Sequence, residues 1–169
     1  VTRMDRMFQS ATSFSSDISN WNTSNVTTMV AMFANARTTL SELKSWDVSK
    51  VKDMQHMFVD VYFDSPIGNW NTSNVTNMNN MFLNQHSNFP SGFNQDIEDW
   101  DVGNVGSFLN TFQNNKWFTK DLNRWNIKSN ANLQNMFNRS VYNGFVLNGS
   151  AWMNHTGTRS NMFNGTTSS

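Results

Sequence analysis

Three histidines, twelve acidic residues and eight N-x-[ST] sequons are the groups in this 169-residue chain that could do chemistry or carry a modification. Their spacing decides which of them can act together. His56, His86 and His155 fall in different units of a repeating pattern and at different phases of it, so they read as isolated surface side chains rather than a metal or catalytic cluster. With no cysteine there is no thiolate nucleophile, thiolate metal site or disulfide. No Gly-rich phosphate loop, G-x-S-x-G elbow or H-E-x-x-H helix is present. The chain is therefore expected to have no catalytic residue, no metal ligand and no cofactor.

Acidic residues recur four positions before a tryptophan: Asp17, Glu42, Asp96 and Asp121. Stacked on adjacent turns, Asp17 would face Glu42 and Asp96 would face Asp121, and like charges about 5 Å apart repel unless solvent, a lysine or a cation intervenes. Calcium could bridge such a pair, although two carboxylates are few for its six to eight oxygens. The alternative is that each carboxylate accepts local backbone N–H groups at a turn. Asn or Asp also follows each regular tryptophan, as Asn22, Asp47, Asn71, Asp101 and Asn126. Free exchange of Asn for Asp points to a side-chain acceptor that closes a backbone turn.

The same logic sorts the sequons. Asn25 and Asn74 share a phase that also holds Lys50, Asn104 and Ser129, which marks it as solvent-facing. They join Asn138, Asn148, Asn154 and Asn164 as candidate N-glycosylation sites. Asn22 and Asn71 are expected to stay bare because of their turn-closing role. Between Phe82 and Trp100 the spacer is five residues longer than usual, and its 83–92 loop offers His86, Asn88 and Phe89 as a possible binding loop. A neutral insertion in a tolerant spacer is the other reading.

The elements that position these groups come from one motif, WNTSNVTTMVAMF, running from Trp21 to Phe33. Trp46 and Phe58, Trp70 and Phe82, Trp100 and Phe112, and Trp125 and Phe137 keep the same separation of twelve positions. A repeat of about 25 residues is the signature of a stacked-repeat protein. Met29, Met32 and Phe33 sit at i, i+3 and i+4, which predicts one face of a helical turn, and Met54, Met57 and Phe58 repeat the spacing. Upstream of each Trp an apolar residue three positions back, and usually a Phe seven back, predicts a short parallel strand.

The expected fold is a right-handed, leucine-rich-repeat-like solenoid with one short strand plus one helical turn per repeat. It forms a single domain, 1–169, of about seven turns: a partial repeat 1–13, repeats near 14–38, 39–62, 63–92, 93–117 and 118–144, and a degenerate terminal repeat 145–169. Val1 opens inside a turn, so Val1, Met4, Met7 and Phe8 are expected to need cover from same-chain flanking repeats or from a head-to-tail copy.

Charged residues are only 14% and balance to zero, so nothing here suits nucleic acid or an anionic membrane surface. Polarity comes from Asn, Ser and Thr. No apolar run is long enough to span a bilayer and no charged-then-apolar leader precedes the first repeat.

With these residues in view, the stretches ATSFSSDISNWNTSNVTTMVAMF (11–33) and FNQDIEDWDVGNV (93–105) resemble the repeats of BspA-like leucine-rich-repeat surface proteins. The resemblance runs from Val1 to about Phe163. It implies an extracellular, non-enzymatic segment used in adhesion or surface coats, with neighbouring repeats, surface glycans or host and matrix proteins as partners. A lectin-like module using the strand face or the 83–92 loop is the alternative. Asn130 in place of the core Val, Pro66 before Ile67 and the irregular unit after Trp152 depart from the pattern.

Overall fold

The structure, a computed structural model, describes residues 1–36, 39–40, 43–63, 65–86, 92–141 and 147–166. Within them, regular secondary structure is confined to β1 (Thr39–Leu40), β2 (Tyr62–Phe63) and one four-residue helix, α1 (Ser150–Met153). Strands β1 and β2 pair in parallel, Thr39 with Tyr62 and Leu40 with Phe63. The expected leucine-rich-repeat-like solenoid of one strand and one helical turn per unit is therefore wrong: no described repeat combines the two, and what recurs is a set of β-turns.

The predicted helical turn is broken by backbone handedness. The residue two before the Phe of each unit takes positive φ, and so does the residue two after it in every unit but that of Phe82: Ala31 at 52° and Asn35 at 59° around Phe33, and Asn110 at 56° and Asn114 at 57° around Phe112. A left-handed residue cannot continue a right-handed helix. Met32 N–H instead donates to Met29 O (3.2 Å), Ala34 to Ala31 (3.2 Å) and Ala36 to Phe33 (2.9 Å), giving consecutive turns. Met29, Met32 and Phe33 still point inward and are fully buried.

The intervening N–H groups reach the next unit. Met29, Ala31, Phe33 and Asn35 donate to the carbonyls of Asp53, Gln55, Met57 and Val59 at 2.8–3.1 Å. The same alternation joins every neighbouring pair, from Met4 N–H to Thr28 O at one end to Arg139 N–H to Asn164 O at the other. Isolated parallel bridges run through Arg3, Thr28, Asp53, Asn77, Ser107 and Asn132 in series. One arm of each unit thus satisfies half its donors locally and half across the junction, which buried backbone requires.

The predicted strand before each Trp is mostly a second turn. Trp21, Trp46, Trp70, Trp100 and Trp125 N–H groups donate to the carbonyl three residues back, on Ile18, Leu43, Ile67, Ile97 and Leu122. Apolar residues at that phase are still buried, because the turn directs them into the same core as Val26, Val51, Val75 and Val105.

Between units the aromatic rings stack. Phe8, Phe33, Phe58, Phe82, Phe112, Phe137 and Phe163 follow one another with centroids 5.4–5.9 Å apart and planes within 15°. Each later Trp lends its indole N–H to the previous unit's turn: Trp46 to Ile18 O, Trp70 to Leu43 O, Trp100 to Ile67 O and Trp125 to Ile97 O, at 2.9–3.1 Å. Trp152 does the same to Leu122 O (2.8 Å), so the shortened last unit keeps the junction. Trp21 is the exception at 37% exposed, although it stacks on Trp46 at 6.4 Å.

Two departures from the repeat are absorbed locally. Asn130 does not enter the core: the turn slips by one residue, Ala131 N–H donates to Lys128 O, and Ala131 is buried where Val stands in other units, leaving Asn130 exposed. Thr111, which replaces a core Met, is fully buried with its hydroxyl 2.8 Å from Phe108 O and 2.9 Å from Met78 O, so its polar atom is satisfied.

Candidate functional site

Side-chain amides and carboxylates line the outer surface of the turns, and most of them close turns. Asn22, Asp47, Asn71 and Asp101 accept the N–H two residues on, from Ser24, Ser49, Ser73 and Gly103, at 2.9–3.2 Å. Asp17, Asp96 and Asp121 do likewise with Ser19, Glu98 and Asn123. Hydrogen bonding to the ionised form favours it. The Ser19 N–H accordingly holds Asp17 below the usual carboxylate range, the Ser49 hydroxyl and N–H do so for Asp47, and the Asn126 amide and Gly103 N–H for Asp101. Glu42 lies outside the described residues. No group of three or more His, Asp or Glu able to hold a metal occurs among the described residues.

The phase of Asn25 and Asn74 is exposed and ladders from unit to unit. Lys50 Nζ donates to Asn25 Oδ1 (2.8 Å), Asn74 Nδ2 to Ser49 O (2.7 Å) and Asn104 Nδ2 to Ser73 O (2.7 Å). Asn148, Asn154 and Asn164 are also exposed. Asn138 differs from these: it is only 8% exposed and its Nδ2, the atom a glycan would occupy, points at Asn161 O at 3.5 Å.

The three histidines differ sharply. His86 is exposed, as expected, and its Nε2 lies 3.8 Å from Asp60 Oδ2. Asp60 is 2% exposed; its Oδ1 accepts the Gln85 N–H at 2.7 Å, while Oδ2 is buried with no hydrogen-bond partner among the described residues. Asn88 and Phe89, the other residues of the candidate binding loop, lie outside the described residues. His56 is half-buried, and burial pushes its imidazole below the usual range, with Asp53 opposing and Arg6 adding to the shift.

His155 overturns the reading of an isolated surface side chain. It is 4% exposed, with Nε2 3.0 Å from Ala131 O, and its Nδ1 accepts from Arg159 Nε at 3.1 Å. Arg159 also donates to the His155 carbonyl. This arrangement requires the neutral ring with its proton on Nε2, and burial lowers the pKa accordingly.

The left-handed positions were missed by sequence reasoning although a signal was present. Asn80, Asn110, Asn135 and Asn161 recur two before the Phe in four successive units, and Asn tolerates that conformation best after Gly. Three of them form a side-chain ladder, Asn110 Nδ2 to Asn80 Oδ1 (2.9 Å) and Asn135 Nδ2 to Asn110 Oδ1 (3.0 Å).

No helix among the described residues is long and apolar enough to cross a membrane. No curated protein and no solved structure matches the chain. A family profile does, over residues 1–89 and again over 62–169, and it does not carry the leucine-rich-repeat assignment suggested by the resemblance. Repeats that bind to one another through the same four donors at each junction are what such overlapping matches follow, and the chain belongs to the family described as Mycoplasma protein of unknown function, DUF285.

Proposed function

We propose that the chain is a non-catalytic, adhesive or structural segment displayed at a cell surface. The family is one of surface-associated repeat proteins, which supports the location. The single observation that carries the reading is the uniform junction: four backbone hydrogen bonds and a ring stack between each pair of successive Phe-centred arms. Such a construction transmits load along the stack and holds outer side chains at fixed spacing. Its outer face is rich in uncharged amides and hydroxyls, groups suited to exchanging hydrogen bonds with other polar surfaces.

Glycans on Asn25, Asn74, Asn148, Asn154 and Asn164 are compatible with this role, since each of those residues is exposed. Surface glycans or matrix proteins are the proposed partners, together with further units of the same polypeptide or other copies that continue the donor-to-acceptor pattern. The experiment is direct. Cells displaying the segment are plated on glycan-coated and matrix-protein-coated surfaces, and the reading predicts detachment forces above those of cells displaying a scrambled-repeat control. Equal forces on all surfaces would remove the adhesive role.

A further inference from the structure

In the later units the outer amides are spent on one another: Asn80, Asn110 and Asn135 ladder at the position two before the Phe. In the first three units that position holds Arg6, Ala31 and His56, all with positive φ. Ala31 has no amide to offer, and the ladder is replaced by a groove of about 300 Å³. Its apolar surface is small and comes mainly from the half-buried Val30, since Ala31, Ala34 and Val59 are each 5% exposed or less. Ala31, Ala34 and Val59 form a small apolar cluster separate from the main core, with Val30 packed beside them.

Around the groove stand polar side chains of several units. Arg6 and His56 flank it, and Gln9, Asn35, Gln55 and Gln85 complete the rim. Among the described residues no carboxylate pairs with the Arg6 guanidinium, whereas Arg3 and Arg124 both have acidic partners. Burial disfavours the charged form of the His56 ring, whose two nitrogens can donate and accept.

The exposed part of Val30 offers a small apolar contact for the C–H face of a pyranose ring. Side-chain amides, each with donors and an acceptor, suit its hydroxyls. A guanidinium without a counter-charge suits a carboxylate, which it grips through two parallel hydrogen bonds. The volume lies at the small end of ligand pockets and matches one sugar residue rather than an extended chain. We propose that the groove between Arg6 and His56 binds an acidic monosaccharide unit, with Arg6 on its carboxylate and the rim amides on its hydroxyls. This deepens the adhesive reading by giving it a ligand class.

The repeat itself supplies clean variants. Asn stands at the Ala31 phase in four other units, and Gln stands at the Ala34 phase as Gln9 and Gln113. Ala31→Asn with Ala34→Gln therefore fills the groove with residues the backbone already accepts. Titrating glucuronic acid and N-acetylneuraminic acid, with glucose as the neutral control, is followed by NMR of the His56 ring and the Arg6 side chain. Saturable shifts with an acidic sugar are expected, absent in the filled variant, and weakened about tenfold or more in Arg6→Gln, the loss typical of a charge-assisted pair. No saturable shift with either acid, or equal binding of glucose, overturns the site. The cell-adhesion assay separates this from the broader reading: adhesion that survives groove filling leaves the adhesive role standing and removes the groove from it, and sugar binding without adhesion does the reverse.

Discussion

The side-chain oxygen of Asn79 accepts a hydrogen bond of 2.6 Å from the hydroxyl of Ser107 in the next unit, and a second, of 2.9 Å, from the Leu109 N–H. Where Asp53, Asn77 or Asn132 stands at the Ser107 phase, that residue caps the equivalent N–H itself, on Gln55, Asn79 and Gln134. Ser107 cannot reach, so the preceding unit supplies the acceptor. Asp5 does the same for Thr28 and Val30, at 2.5 and 3.0 Å. Burial raises the Asp5 carboxyl, but those bonds together with the Arg3 guanidinium at 2.8 Å outweigh it and hold the carboxyl below its usual range.

Asn79→Ala should thus cost about 1–3 kcal/mol, the penalty for leaving partly buried donors unpaired. Ser107→Asp in the same background should restore most of it by copying Asp53. Hydrogen exchange at the Leu109 amide is the readout, faster in the single variant and slowed again in the double. Equal exchange in both would mean the cap does not substitute across the junction.

Arg139 carries φ of 55° in a position where Asn35 and Asn114 stand in other units. Replacing it with Asn should raise stability by about 0.5–1 kcal/mol, since Asn relieves part of the left-handed penalty. Replacing it with Val should lower stability by about 1–2 kcal/mol. Urea unfolding of the pair checks the sign of each.

Trp100 is buried and its indole N–H is the donor to Ile67 O at 3.1 Å. Trp100→Ala should cost about 3–5 kcal/mol as a core truncation. Trp100→Phe keeps most of the ring but removes one of the two donors to that carbonyl, which the Trp70 N–H still serves, for a loss of about 0.5–1.5 kcal/mol. If the Phe variant matched the wild type in thermal unfolding, the indole bond would contribute nothing to the junction.

His155 makes the last unit sensitive to acid. Its folded-state pKa lies below the usual value because the ring is buried, so on acidification the unfolded chain takes the proton first. Stability contributed by the neutral ring is complete above about pH 6.5 and is lost as pH falls through that value toward the folded-state pKa. His155→Gln should flatten that part of the profile, while the contribution of His56, lowered in the same direction, remains. Denaturant midpoints between pH 8 and 5, wild type against variant, measure the difference; identical slopes would refute it.

Glycan occupancy should follow exposure rather than sequon count. Asn25, whose oxygen alone is engaged by Lys50, is expected to be occupied ahead of Asn74, whose nitrogen already donates to Ser49 O. Asn138 should be bare. Peptide mass mapping of material made in a glycosylating host reads all three positions.

Spacing alone determined that Trp and Phe recur twelve positions apart, that the unit is about 25 residues and which apolar phases face inward, because a repeated separation is a statement about distance along the chain. Asn22 and Asp101 were legible as turn closers because their acceptor acts on the chain two residues away. The path of the backbone was not legible. Met29, Met32 and Phe33 have helical spacing, yet they reach one core through turns whose left-handed residues, Ala31 and Asn35, are held by bonds to Gln55 and Val59 in the next unit. Those bonds join residues 24 positions apart, and no local propensity for Ala encodes them. Burial of His155 and Asn138, the slip that trades Asn130 for Ala131, and the meeting of Arg6 with His56 across Ala31 all arise the same way. Each depends on which side chains the stacking brings opposite one another, and that is decided only when the units are in register.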